Sequence, residues 1–236
     1  MVQFDNQYRQ IKVKIVYYGP ALGGKTTCLQ HIHRVTDPQR RTRLYSLNTA
    51  SDRTLFFDLL SLNLGRIRGY RLTIQLYTVP GQVQYNATRR TVLAGADGVV
   101  FVADSQRNQH QANLQSFENL KENLDANGID PDTHPLVLQY NKRDLSDLSP
   151  VAELETDLTG AGIPSFSTVA ITGDGVMEAF ATITENTLVS LADRLGIDTT
   201  GHAIERLKQQ AQAALEQFVR AAPSEAPADD VVGKGE

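Results

Sequence analysis

Residues 19–26, Gly19-Pro20-Ala21-Leu22-Gly23-Gly24-Lys25-Thr26, satisfy the pattern G-x-x-x-x-G-K-[ST] at every fixed position. A loop of this kind curls around a polyphosphate. Glycines reach the required backbone angles without steric penalty, so successive N–H groups point inward at the anion. A helix that begins near Gly24 adds its unpaired N–H groups and its dipole to the same charge. Lys25 is then expected on the β- and γ-phosphate oxygens, and the Thr26 hydroxyl on Mg²⁺. Gly19, Leu22, Gly23, Gly24 and Thr27 complete the contacts expected at this end of a nucleotide.

A second cluster, Asn141-Lys142-Arg143-Asp144, has the chemistry to read the base. Guanine presents two adjacent donors, N1–H and the exocyclic amino group, and one carboxylate accepts from both. Adenine offers an acceptor at that edge and is repelled. Rejecting a ligand that would leave buried polar groups unpaired is a strong form of selectivity. Asp144 is therefore expected to discriminate, with Asn141 at the other edge of the base and the aliphatic stem of Lys142 along its face. In Val169-Ala170-Ile171-Thr172, Ala170 and Ile171 offer backbone N–H groups to the guanine carbonyl.

The elements that must hold these loops are legible in outline. Residues 11–18 are β-rich and apolar and run directly into the glycines, and residues 24–35 read as a helix. Further strands are expected at 72–79, 98–103, 136–140 and 165–170, and helices at 87–94, 112–126, 150–158 and 175–195. Strands alternating with helices at this spacing imply right-handed crossovers and a mainly parallel sheet covered on both faces. The base motif falls at the end of the strand at 136–140, where ligands of such sheets bind. Residues 44–64 show no clean period and are read as an early strand, a functional loop and another short strand.

After Gly196 the composition changes. Ile204, Leu207, Ala211, Ala214, Leu215 and Phe218 recur at helical spacing over 202–220, giving an amphipathic helix that packs on the domain or forms a short self-associating coil, a reading preferred over one that docks a partner. Residues 221–236 lack large apolar groups and are expected to be disordered. The division is a nucleotide domain over 1–195, a helical extension over 196–220 and a tail over 221–236.

Composition narrows the remaining choices. The formal net charge of −4 over 236 residues carries no footprint for nucleic acid. One cysteine, Cys28, precludes an internal disulfide, and a cytoplasmic location is expected. No apolar run reaches membrane-span length, and neither a signal peptide nor a lipid anchor is expected. His31 and His33 stand two apart on the first helix and face different ways, which argues against a shared metal.

Several of these segments resemble the MglA-like bacterial small GTPases, a prokaryotic branch of the Ras superfamily. The resemblance rests on residues 15–20 and 52–58, on Tyr77-Thr78-Val79-Pro80-Gly81-Gln82, and on 97–105 and 139–144, and covers about residues 10–195. It implies a P-loop NTPase of the α/β class, a Ras-like three-layer sandwich. It also implies a switch between GTP and GDP with Mg²⁺ that acts in cell polarity and motility, slow alone and accelerated by a dimeric roadblock-domain protein of MglB type. The expected state with GDP is a monomer, and the GTP form is expected to recruit effectors at a cell pole. Bare chemistry leaves Thr42, Thr49 and Thr54 open as the threonine that joins the metal alongside the γ-phosphate; the resemblance selects Thr54. It likewise makes Arg53 an arginine finger carried within the chain, Gln82 the water-orienting residue, and Gly81 the backbone sensor of the γ-phosphate. Thr78 stands where most Ras-like chains carry an aspartate, so charge beside the metal is expected to be lower. The competing class is a GTP-binding scaffold module that does not hydrolyse.

Overall fold

The computed structural model describes residues 3–5, 9–47, 57–67, 69–158, 162–194, 208–213 and 215–216. Its centre is set by two strands that have almost no polar side chains, Val99-Val100-Phe101-Val102-Ala103 and Leu136-Val137-Leu138, every one of them buried. Only strands covered on both faces read this way. They belong to β6 (Gly98–Asp104) and β7 (Leu136–Asn141) of an eight-stranded sheet. The others are β1 (Gln3–Asp5), β2 (Gln10–Tyr18), β3 (Tyr45–Leu47), β4 (Phe57–Ile67), β5 (Tyr70–Thr78) and β8 (Ser165–Ser167). The order is β3-β4-β5-β2-β6-β7-β8, with β1 antiparallel to the start of β2. Pairings from β5 through β8 are parallel; β3–β4 and β4–β5 are antiparallel.

Helices α1 (Lys25–Val35), α2 (Asn86–Leu93), α3 (His110–Asp125), α4 (Val151–Leu158) and α5 (Val176–Arg194) supply the outer layers. Alternation along β2 assigns the faces. Val13, Ile15 and Tyr17 pack with Cys28, Leu29 and Ile32 of α1 and Phe180 and Ile183 of α5. Val16 and Tyr18 pack with Leu93 of α2, Phe117 and Leu120 of α3 and Leu154 of α4. The result is the expected three-layer α/β sandwich. Among the described residues, no helix is long and apolar enough to cross a membrane.

Two strands differ from expectation. β1 was not anticipated, because three residues amid polar neighbours carry no periodic signal. β4 is an eleven-residue strand, not a short one. Its buried positions are Asp58, Leu60, Leu62 and Leu64, a strict alternation hidden in the sequence by the half-buried Phe57 and Leu59 between them. Residues 208–213 and 215–216 are helical, and Ala211 and Leu215 are buried in the same apolar cluster as α1 and α5. The remainder of the 202–220 helix and the tail at 221–236 lie outside the described residues.

Leu215 is 5% exposed within that cluster. Leu215→Ala should therefore cost about 2 kcal/mol, the low end for a buried leucine, and lower the thermal midpoint by roughly 4–8 °C. Calorimetry of the full chain measures it, and an unchanged midpoint would show that the C-terminal helix contributes nothing to the core.

Candidate nucleotide-binding site

The turn between β2 and α1 carries the phosphate-loop residues. Gly24 caps α1 with φ 105°, and a Cβ there would collide with Nδ2 of Asn141, so only glycine serves. Lys25 is 7% exposed, and its Nζ donates to the carbonyls of Gly19 (3.0 Å) and Pro20 (2.6 Å). Burial, then the Arg89 charge, push its pKa down to about 8. Its hydrogen bonds go only to neutral carbonyls, with Asp58 acting on it through space, and an anion in the loop would supply a direct counter-charge. Cys28, three residues on, donates to Gln139 Oε1 at 3.2 Å.

Asn141 joins this loop to the base motif. Its Nδ2 donates to the Gly23 carbonyl (2.9 Å), and its Oδ1 accepts from the Ala170 N–H (2.9 Å) and Thr168 Oγ1 (3.2 Å). The sequence reading sets Asn141 at an edge of the base; in the structure both ends of its amide bind protein loops, because the side chain is 2% exposed beneath them. The Ala170 N–H is likewise held by Asn141, which leaves Ile171 as the member of that pair with a backbone donor for a base. Lys142 takes φ 66°, and its Nζ lies 2.6 Å from Oδ2 of the buried Asp104. That ion pair fixes the lysine's stem along a cleft of about 260 Å³. Leu22, Gly24, Thr27, Asn141, Asp144, Leu145, Ala170 and Ile171 complete its lining. Leu22 (88% exposed) and Ile171 (65%) offer solvent-facing apolar walls, which suit a flat ring better than they suit water.

Opposite the cleft's base end, Thr26 is exposed and its Oγ1 donates to Asp58 Oδ2 at 2.6 Å. Thr78 Oγ1 donates to the same oxygen at 2.8 Å, and Ser46 Oγ to Oδ1 at 2.6 Å. Hard oxygen donors of this kind fit Mg²⁺. Sequence reasoning assigned Asp58 no role; the signal was its place on the inward face of β4, where a carboxylate is out of character. Gly81 packs on the phosphate loop so closely that a Cβ would collide with the Ala21 backbone. Gln82 is exposed beside it, and its carbonyl accepts from Arg89 Nη1 at 2.5 Å. Arg89, 5% exposed, also bonds the Pro80 and Val83 carbonyls and Asn119 Oδ1, and so holds the segment that carries Gln82.

Arg53 and Thr54 lie outside the described residues, as does Thr49. Of the other expected site residues, Gly19, Gly23, Gly24, Lys25 and Thr26 gather at one end, with Thr78, Gly81 and Gln82 beside them. Leu22, Thr27, Asn141, Lys142, Asp144, Ala170 and Ile171 line the other end. Elsewhere His110 lies beside Glu153 and Asp157, its Nε2 3.6 Å from an Asp157 carboxylate oxygen.

Comparison with known proteins agrees with this geometry. The Ras family's sequence model matches residues 44–189. The chain is 50% identical over 183 residues to the Mutual gliding-motility protein MglA of Myxococcus xanthus, covering 78% of this chain and 94% of that one. It is 27% identical over 193 residues to the Ras-related protein RABG3f of Arabidopsis thaliana, covering 77% and 85%. With the Ypt/Rab-type GTPase ypt7 of Pyricularia oryzae it shares 24% identity over 185 residues, covering 76% and 84%. A family match across more than half of the chain, on a sheet and a cleft built in this way, identifies it: the chain belongs to the Ras family of small GTPases.

Proposed function

We propose that the chain is a guanine-nucleotide switch that hydrolyses GTP with Mg²⁺ and acts in cell polarity or motility. The observation that carries the reading is the Asn141 clamp, which ties a phosphate loop to a base-reading loop across one cleft. The phosphate-loop N–H groups and Lys25 hold the polyphosphate, and Asp144 accepts from the guanine edge while Lys142 and Leu22 flank the ring. Thr26 and Thr54 are the side-chain ligands assigned to the metal. Bound Mg²⁺ would neutralise charge on the β- and γ-phosphate oxygens.

Hydrolysis then needs little covalent work from the protein beyond positioning and charge stabilisation. Gln82 orients the attacking water, and Arg53 and Lys25 stabilise charge on the transferred group. In the structure Gln82 is exposed and its backbone is pinned by Arg89, so the resting chain is slow until a partner rearranges that segment. A dimeric roadblock protein fills that role by family likeness. The gliding-motility name of the Myxococcus relative supports the process, with recruitment of the GTP form to a cell pole. Residues 1–195 form the switch domain, 196–220 a helical extension and 221–236 a tail.

Three outcomes test the reading. Isothermal titration should show GDP bound far more tightly than ADP, and Asp144→Ala should erase that preference with a loss of roughly 100-fold or more for GDP. Retention of the preference in the variant would sink the base assignment. In single-turnover hydrolysis with the activating partner, Arg53→Ala should lose about 10³-fold or more and Gln82→Leu should be comparably impaired. Parental rates in either would remove that residue from the chemistry.

The third outcome follows from Lys25, whose pKa of about 8 lies below the ordinary lysine value because of burial. A bound polyphosphate raises it again, so GDP binding takes up protons in the window above about pH 8, and uptake fades towards pH 7, where the lysine is already charged. Titration at about pH 8.5 in two buffers of different ionisation enthalpy should give different heats. Equal heats would show that Lys25 does not face the phosphates.

A further inference from the structure

Asp58 is a charged residue in a place that burial alone makes costly. It is 7% exposed on the inward face of β4, in line with Leu60, Leu62 and Leu64. Buried carboxylates are ordinarily paired with a cation. Asp58 makes no ion pair with a described residue; three hydroxyls, those of Thr26, Thr78 and Ser46, donate to it instead. Lys25 interacts with Asp58 through space, but turns its Nζ to the Gly19 and Pro20 carbonyls and not to the carboxylate. The position is fixed from two directions, since Ser46 is the cross-strand partner of Asp58 in the β3–β4 ladder and the Asp58 N–H donates to Thr78 Oγ1 at 2.8 Å.

We propose that Asp58 supplies the charge beside the magnesium site, from β4 and not from the Thr78 position, and orients Thr26 as a metal ligand. The proposal rests on the nucleotide reading above. By giving its proton to Asp58 Oδ2, the Thr26 hydroxyl leaves its lone pairs free on a side chain that is exposed to the site. A hydroxyl that donates its hydrogen bond to a carboxylate is a more basic ligand, and an outer partner of this kind commonly governs metal affinity by 10- to 100-fold. Thr78 keeps a part in the arrangement: its hydroxyl donates to Oδ2 and accepts from the Asp58 N–H, whereas an aspartate at 78 would have no donor for Oδ2 and would repel the Asp58 carboxylate. Asp58 is thus a positioning residue, its Oδ1 held by Ser46 of β3 and its Oδ2 by Thr78 of β5.

The test uses the full chain loaded with a fluorescent GDP, with nucleotide retention measured against buffered free Mg²⁺. Asp58→Asn should raise the Mg²⁺ needed for half-maximal retention by about 10- to 100-fold, and Asp58→Asn with Thr78→Asp should return it to within about threefold of the parent. A folded Asp58→Asn with the parental Mg²⁺ requirement overturns the proposal. So does a double variant that folds and stays as impaired as the single one, because Asp58 would then matter only to strand packing. Should Asp58→Asn fail to fold, Thr78→Val, which keeps the β-branched shape and removes the steering hydroxyl, carries the test. A several-fold weaker Mg²⁺ dependence is expected there, and no change overturns the proposal. If the parent chain itself releases GDP equally fast with and without Mg²⁺, the metal reading fails first and takes the proposal with it.

Discussion

One buried amide decides whether there is a single nucleotide site or two unrelated loops. Asn141 donates to the Gly23 carbonyl and accepts from Ala170 and Thr168, so the loops after β2, β7 and β8 share one side chain as their common fixed point. These loops come from strands that are not all neighbours, since β6 lies between β2 and β7. Backbone pairing relates the two strand ends only through β6 and leaves the loops beyond them to be fixed by side chains. The asparagine fixes them because it is 2% exposed, where a broken hydrogen bond finds no water to replace it. Gly24 completes the constraint from the other side, its missing Cβ being the space that Nδ2 occupies.

Around that fixed point the fold holds charges in reserve. Lys25 is buried among carbonyls, Lys142 is tied to the buried Asp104, and Asp58 is surrounded by hydroxyls. Each charge is held in place by the protein's own groups, which is how a site avoids ordering its groups at the moment of binding. The segment with Gln82 is different. It has backbone contacts to Arg89 and to the phosphate loop, and its glutamine side chain faces solvent. The buried part of the site is thus fixed through side chains, and the Gln82 segment through hydrogen bonds from Arg89 to its carbonyls.

How much of this was visible in the residues alone depended on whether the signal was local. The phosphate loop and the Asn141–Asp144 run are short patterns with a fixed mechanism, and β6 and β7 announce themselves by burying everything; these were legible. So were five helices, whose ends shifted by a residue or two. β4 was not, because half-buried Phe57 and Leu59 blur its alternation, and the ladder to β5 that establishes it joins residues only through a turn. Asp58 was missed for the same reason: its meaning comes from Thr26 and Thr78, which are distant in sequence and adjacent only across the folded sheet. Asn141 was assigned to the ligand because the motif names the residue and is silent about which way its amide faces.

The lone cysteine has a consequence for how such a switch behaves in a cell. Cys28 sits on the helix that grips phosphate, fully buried, with its thiol pushed up to about 12 by burial and its hydrogen given to Gln139. Burial and the scarcity of thiolate both slow attack on peroxide or a soluble disulfide. Alkylation of that sulfur therefore becomes a clock for how often α1 lifts off the sheet.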